Sequence, residues 1–426
     1  MSVWNTYASA SSCATFRSTR HGIARFPFSR SWRGWLPAIG LLLGSAHAQQ
    51  CPAPQPASNM KRTFDSAFTS GHINAAQWNR FPNEPVTYGS DDESYVPSEV
   101  SASTAAGLML RTDAIATNGL PYRSAEVSTR GLFSQQYGHF EMSGRVPQAD
   151  GLWPAFWLLP EDNSWPPEID VLEYIYAPWG QVPTEQDNTS YAAMTLHWVD
   201  AQSQDQYATS NYTTPLGWGS AYHTYAVDWR PGSLVWEIDG NVVNCLIDTP
   251  TTGARVPAKP MFMILNDGVS KPNGWPGTVQ SSQSFPLYFD IAYVRAYSFK
   301  DLPPTPPPAT GAVRNVTVSP AVVKPGQTIT VKANLVIGAV ALGSSATTVT
   351  IKSWDGLTNY ANITVSANLP ANTTVPITVT YTVPANFAAG SYVITVWTAY
   401  NNWTADFYNP EAQIFKVVSA GKAAAH

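Results

Sequence analysis

With 426 residues the chain is too long for one ordinary domain, and a prior of roughly 150 residues per domain predicts two or three, or two if one is a large all-β unit. Charged residues make up only 12% of the chain and Phe, Trp and Tyr another 12%, more rings than core packing requires. The first 48 positions hold five of the 24 basic residues and none of the 29 acidic ones, so the remainder carries a net charge of −10, which argues against nucleic acid or anionic lipid as a partner.

In chain order, Arg17, Arg20, Arg25, Arg30 and Arg33 precede an apolar run from Trp35 to Leu43 and the small-residue stretch Ala46-His47-Ala48. This is the layout of an export signal over residues 1–48 with cleavage after Ala48; the basic lead is long, so a later start codon or an uncleaved anchor is the alternative. Export predicts a secreted, extracellular or periplasmic protein with no membrane association after cleavage. No other stretch approaches the roughly 20 apolar residues that a membrane span requires. Cys13 leaves with the signal, and Cys51 and Cys245 then either pair in an oxidising compartment or remain two free thiols. No Cys/His spacing has the pattern of a zinc site, and no transition metal is expected.

Residues 49–61, with C-P-A-P-Q-P, read as a flexible lead-in. From about residue 62 to 300 the chain shows short alternating runs rich in Val, Tyr, Phe, Trp and Thr, broken by Gly, Pro, Asn and Asp. Gly138 to Val146, Thr224 to Trp229, Leu234 to Ile238 before the turn pair Asp239-Gly240, and Tyr288 to Tyr297 are examples. The pattern is all-β and suits a two-sheet sandwich with one concave face. Residues 301–312, with D-L-P-P-T-P-P-P-A-T, form a stiff linker. Residues 313–418 alternate again in about seven short strands, the pattern of a smaller immunoglobulin-like or fibronectin-like β-sandwich, and 419–426 is a disordered tail. The second sandwich is a spacer, a glycan-binding module or a partner-binding module; Trp354, Tyr360, Trp397, Tyr400, Trp403 and Tyr408 are many rings for its size.

The chemistry concentrates in Gly151 to Ile175, G-L-W-P-A-F-W-L-L-P-E-D-N-S-W-P-P-E-I-D-V-L-E-Y-I. In a strand of strict period two, Glu168 and Asp170 share a face and Glu173 falls on the other. A β-bulge within Val171-Leu172 would return Glu173 to the common face. Three carboxylates so crowded cannot all ionise freely, and at least one pKa must rise. Retaining glycoside hydrolysis uses such a cluster, with one ionised carboxylate as nucleophile and one protonated carboxyl as general acid about 5–5.5 Å apart. The plainer alternative is a calcium site or a solvated acidic strand. Trp153, Trp157 and Trp165 favour the first reading, since their faces stack on sugar rings, although core packing accounts for at least one of them.

The segment resembles the active-site signature of family 16 glycoside hydrolases, E-x-D-x-x-E in the bulged subgroup. Y-G-H-F-E-M (Tyr137 to Met142), T-Y-A-V-D-W-R-P (Thr224 to Pro231), W-E-I-D-G (Trp236 to Gly240) and F-D-I-A-Y-V-R-A-Y (Phe289 to Tyr297) extend it over residues 62 to 299, leaving the C-terminal domain outside. The resemblance implies a concanavalin-like β-jelly-roll with Glu168 as nucleophile, Glu173 as general acid/base and Asp170 tuning the pair. It implies sugar contacts from Trp153, His197, Asn266 and Trp275, with a satisfied core histidine the alternative for His197. Asp290 resembles a structural calcium ligand of some relatives, or else a solvated strand-end carboxylate. No cofactor is needed for the chemistry. Where the family has a basic residue two positions after Glu141, this chain has Ser143. The implied activity is endo-acting cleavage of a β-1,3/1,4-linked polysaccharide, an exopolysaccharide such as succinoglycan or a β-glucan, by a monomer. A catalytically silent carbohydrate-binding protein and a transglycosylase are the rival readings.

Overall fold

The computed structural model describes residues 51–80, 91–117, 119–162, 164–249, 253–303, 311–353, 358–400, 405–408 and 413–419. The expected signal segment, most of the expected linker, nearly all of the expected tail, and Trp354 and Trp403 lie outside these residues. Among the described residues no helix is long and apolar enough to cross a membrane.

Among the described residues the architecture is all-β, and the first β-rich region is a β-jelly-roll sandwich of an eight-stranded and a seven-stranded sheet. Six strands of the seven-stranded sheet run Asp205–Thr213, Tyr191–Val199, Glu168–Ile175, Leu152–Pro160, Met261–Val269 and Glu126–Ser128, with Asn79–Arg80 at the far edge. At the heart of the opposing sheet, Ser233–Ile238, His223–Arg230, Gly138–Arg145 and Leu287–Phe299 lie side by side. Alternation decides what each strand contributes. Phe140, Met142, Trp229 and Trp236 of one sheet meet Phe156, Leu158, Leu196, Met263 and Leu265 of the other in a common core. Burial of each such side chain contributes about 1.5–3 kcal/mol.

Two sequence expectations change here. The segment 49–61 is held in place over the part that the structure describes: Cys51 is disulfide-bonded to Cys245, Gln55 N–H donates to Asp228 Oδ2 at 2.8 Å, and Met60–Ser66 pairs with Leu287–Phe299. Its prolines remove backbone donors and so suggest looseness, but a covalent link and side-chain partners on the sheet compensate. The linker expected over 301–312 is likewise structured at both ends. Asp301 accepts two hydrogen bonds from Arg230 and one from Asn59, and a strand already begins in Gly311–Ser319.

Among the described residues the C-terminal region is a second β-sandwich, with a three-stranded sheet and a six-stranded sheet around one core. Val313, Ile329, Val331 and Leu335 come from the first, Val349, Ile351, Ile394 and Phe415 from the second. Of the rings singled out in the sequence, Tyr400 is buried there while Tyr360 is 43% exposed and packs edge-on against Phe387 and Tyr392.

Candidate active site

On strand Glu168–Ile175, Ile169, Leu172 and Tyr174 point into the core while Glu168, Asp170 and Glu173 lie on the outer side. The ladder with Tyr191–Val199 skips between Asp170 and Glu173, and that with Leu152–Pro160 skips between Asp170 and Leu172. The extra residue at Val171-Leu172 restores Glu173 to the carboxylate face. At the slip, the buried Trp236 of the opposite sheet donates its indole N–H to the Asp170 carbonyl at 2.9 Å. A backbone acceptor beside a broken ladder register thus gains a partner from across the core. Trp236→Phe is expected to cost about 1–3 kcal/mol by leaving that carbonyl unpaired, measured by urea unfolding; an unchanged midpoint would show that the bulge does not depend on this bond.

Each carboxyl has donors of its own. Trp165 Nε1–H donates to Glu168 Oε2 at 3.0 Å. Trp153 Nε1–H donates to Glu173 Oε1 at 3.0 Å and the Thr195 hydroxyl to Glu173 Oε2 at 3.2 Å. His197 Nε2 stands 3.4 Å from Asp170 Oδ2 and 3.7 Å from Glu168 Oε1, so His197 is a member of the carboxyl cluster. Trp157 Nε1–H donates to Asn266 Oδ1 at 2.8 Å, and the Asn266 amide donates to the Tyr95 hydroxyl at 2.9 Å. Trp275 donates to the Tyr191 hydroxyl and meets Trp153 edge-on, with ring centres 5.5 Å apart. All nine residues that the sequence assigned to catalysis and substrate binding lie on the seven-stranded sheet and its loops, where Trp157 stands opposite Asp170 in the ladder.

Burial raises the pKa of all three carboxyls. For Glu168 the next cause is the neighbouring Asp170 charge, opposed by His197. For Asp170 it is Glu173, with a hydrogen bond to Glu168 acting the other way. For Glu173 the rise is opposed by His197 and by the bonds from Thr195 and Trp153. The triad titrates as a unit that keeps a proton above the ordinary carboxylate range. A reaction needing one ionised and one protonated member loses rate as pH falls and the nucleophile gains its proton, and again as pH rises and the acid loses its own. Both limbs of the kcat/KM profile are expected above the free Glu value of about 4.3. In Asp170→Asn the residual activity should have its acidic limb moved to lower pH, because the charge that raises Glu168 is gone; a stationary limb would contradict the coupling.

Glu168, Asp170 and His197 each offer one ligand atom within 4.8 Å of the others, as do His139, Asp228 and Glu237 on the opposite sheet. Asp290 belongs to neither group. It lies on the eight-stranded sheet, buried, with its Oδ2 2.5 Å from Arg145 Nη2. The Ser143 departure also changes meaning. Ser143 shares the outward face with His139 and Glu141, opposite the core residues Phe140 and Met142, on the sheet that lacks the carboxyl cluster.

Sequence reasoning missed Thr195, Tyr191, Tyr95 and Trp236. Thr195 was findable, since it lies two residues before His197 on the same strand face. The other three reach the site from the start of a strand, from a short strand outside the two main sheets, and through the core, and carry no local signal.

Residues 91–283 match the sequence profile of glycosyl hydrolases family 16. Within that match lies the bulged three-carboxyl strand flanked by the indoles of Trp153 and Trp165. Over 181 residues it is 35% identical to the endo-1,3-1,4-beta-glycanase ExsH of Rhizobium meliloti, covering 42% of this chain and 34% of that protein. Over 182 residues it is 36% identical to the endo-1,3-1,4-beta-glycanase EglC of the same organism, covering 43% and 35%. The catalytic domain of an endo-1,3-beta-glucanase (laminarinase) from Thermotoga petrophila aligns at a TM-score of 0.48 and 23% identity, over 57% of this chain and 99% of that one. The chain spans about a third of the length of the two Rhizobium proteins.

Proposed function

We propose that the jelly-roll region is an endo-acting β-glycosidase that cuts a β-1,3/1,4-linked polysaccharide, an exopolysaccharide or β-glucan, with retention of configuration. The observation that carries this reading is the return of Glu173, through the bulge, to the face of Glu168 and Asp170 among the indoles of Trp153 and Trp165. Glu168 attacks the anomeric carbon as Glu173 gives its proton to the departing glycosidic oxygen. Water, deprotonated by Glu173, then displaces Glu168 from the glycosyl-enzyme, so two inversions give net retention. Asp170 and His197, both beside Glu168, hold the nucleophile and set the charge around it. The substrate class is supported by the names of the Rhizobium relatives, both endo-1,3-1,4-beta-glycanases. Secretion is supported by the Cys51–Cys245 bond, since oxidising compartments are where such bonds persist.

The test is reducing-end release from succinoglycan, lichenan, laminarin and agar side by side, with the anomer of the first product read by NMR. Cleavage of one or more with β-product is expected. Binding without shortening of any chain would replace the proposal with a lectin-like role, α-product would reject retention, and products longer than the substrate would identify a transglycosylase.

A further inference from the structure

The carboxylate face continues past His197. On the edge strand Asp205–Thr213, Ala208 and Tyr212 pack against the core, so Tyr207, Thr209 and Asn211 project from the other side and are exposed. The ladders place Tyr207 opposite His197 and His197 opposite Glu168; Thr209 lies opposite Thr195, which lies opposite Asp170. The two threonine hydroxyls are 3.0 Å apart, so this row joins the side chain that donates to Glu173.

Tyr207 is 70% exposed, the largest exposed fraction among the big apolar side chains described. A lone exposed tyrosine is ordinary on a protein surface. This one ends a file of rings: Trp165 to His197 at 6.1 Å and 40°, then His197 to Tyr207 at 5.9 Å and 34°. The file runs across the strands from the Glu168 side chain to the edge of the sheet.

We propose that Tyr207, with Thr209 beside it, is an outer sugar subsite that holds a glycosyl unit of the substrate away from the scissile bond. The proposal rests on the β-glycan reading of the same site. The ring offers an apolar face to the C–H side of a pyranose and a hydroxyl to its rim. Two strand spacings separate the Glu168 strand from the Tyr207 strand, about 9–10 Å, on the order of two sugar rings laid across the sheet. Only chains long enough to reach the edge strand gain from this contact, which makes Tyr207 a residue of chain-length specificity.

The experiment compares kcat/KM on β-1,3/1,4-gluco-oligosaccharides from two to eight units for the wild type, Tyr207→Ala, Tyr207→Phe and Tyr207→Trp. Tyr207→Ala is expected to lower the ratio of long-chain to short-chain kcat/KM about tenfold, chiefly through KM, while Trp keeps the ratio and Phe, with the ring face but no hydroxyl, keeps most of it. In parallel, binding of the same oligosaccharides is titrated against Glu168→Gln with and without Tyr207→Ala, and the longer chains should lose about tenfold in affinity. Wild-type cleavage with an unchanged ratio in Tyr207→Ala overturns the subsite and leaves the proposed function standing. No cleavage by the wild type overturns the proposed function, and the titration then decides Tyr207: equal affinities reject it.

Discussion

Glu168→Gln and Glu173→Gln are each expected to lower β-glycan cleavage by about 10^4-fold. Glutamine keeps the size of the side chain and its ability to accept from the indoles of Trp165 or Trp153, but it neither attacks an anomeric carbon nor exchanges a proton. The two variants differ in what an external nucleophile does for them. With an activated aryl β-glycoside and azide, Glu168→Ala has only the azide to attack, a single inversion that yields the α-glycosyl azide. Glu173→Ala still forms the glycosyl-enzyme, and azide displaces Glu168 in a second inversion that yields the β-glycosyl azide. NMR of the two products checks the roles, and exchanged stereochemistry would exchange them. Near-wild-type turnover in either glutamine variant would remove that residue from the chemistry. Since burial raises both carboxyls and the Asp170 charge adds to the rise at Glu168, each glutamine variant should also melt slightly above the wild type, the stability cost of an assembled active site.

Reduction of the Cys51–Cys245 bond, or Cys245→Ser, is expected to lower the unfolding free energy by about 2–5 kcal/mol. The bond joins positions 194 residues apart in sequence, so it closes a long loop in the unfolded chain, where the entropic constraint is large. In the folded state it ties the proline-rich N-terminal segment to strand Asn241–Ile247, while Gln55 bonds to Asp228 and Arg230 on the neighbouring strand His223–Arg230. Urea unfolding in the presence and absence of reductant measures the effect. Coincident midpoints would show that the noncovalent contacts of this segment suffice.

The amino-acid sequence by itself determined a good part of the site. Period-two alternation assigns Glu168 and Asp170 to one face and Ile169 to the core, and the cost of stranding Glu173 on the wrong face leads to a bulge between Val171 and Leu172. The same run supplies Trp153, Trp157 and Trp165, and family motifs add His197, Asn266 and Trp275. What alternation does not carry is which strand lies beside which. Asn266 is 109 residues from Trp157 in the chain and Trp236 is 66 from Asp170, yet both pairs are hydrogen-bonded, because strand order and the stacking of two sheets are set by long-range burial. The same limit applies to Asp290, where only the ladder between Gly138–Arg145 and Leu287–Phe299 brings Arg145 to its carboxylate, and to Tyr207, which is aligned with Glu168 only through two successive strand registers. Side-chain chemistry and face are local properties of a strand; neighbours are a property of the whole sheet, and the tertiary structure alone decides them.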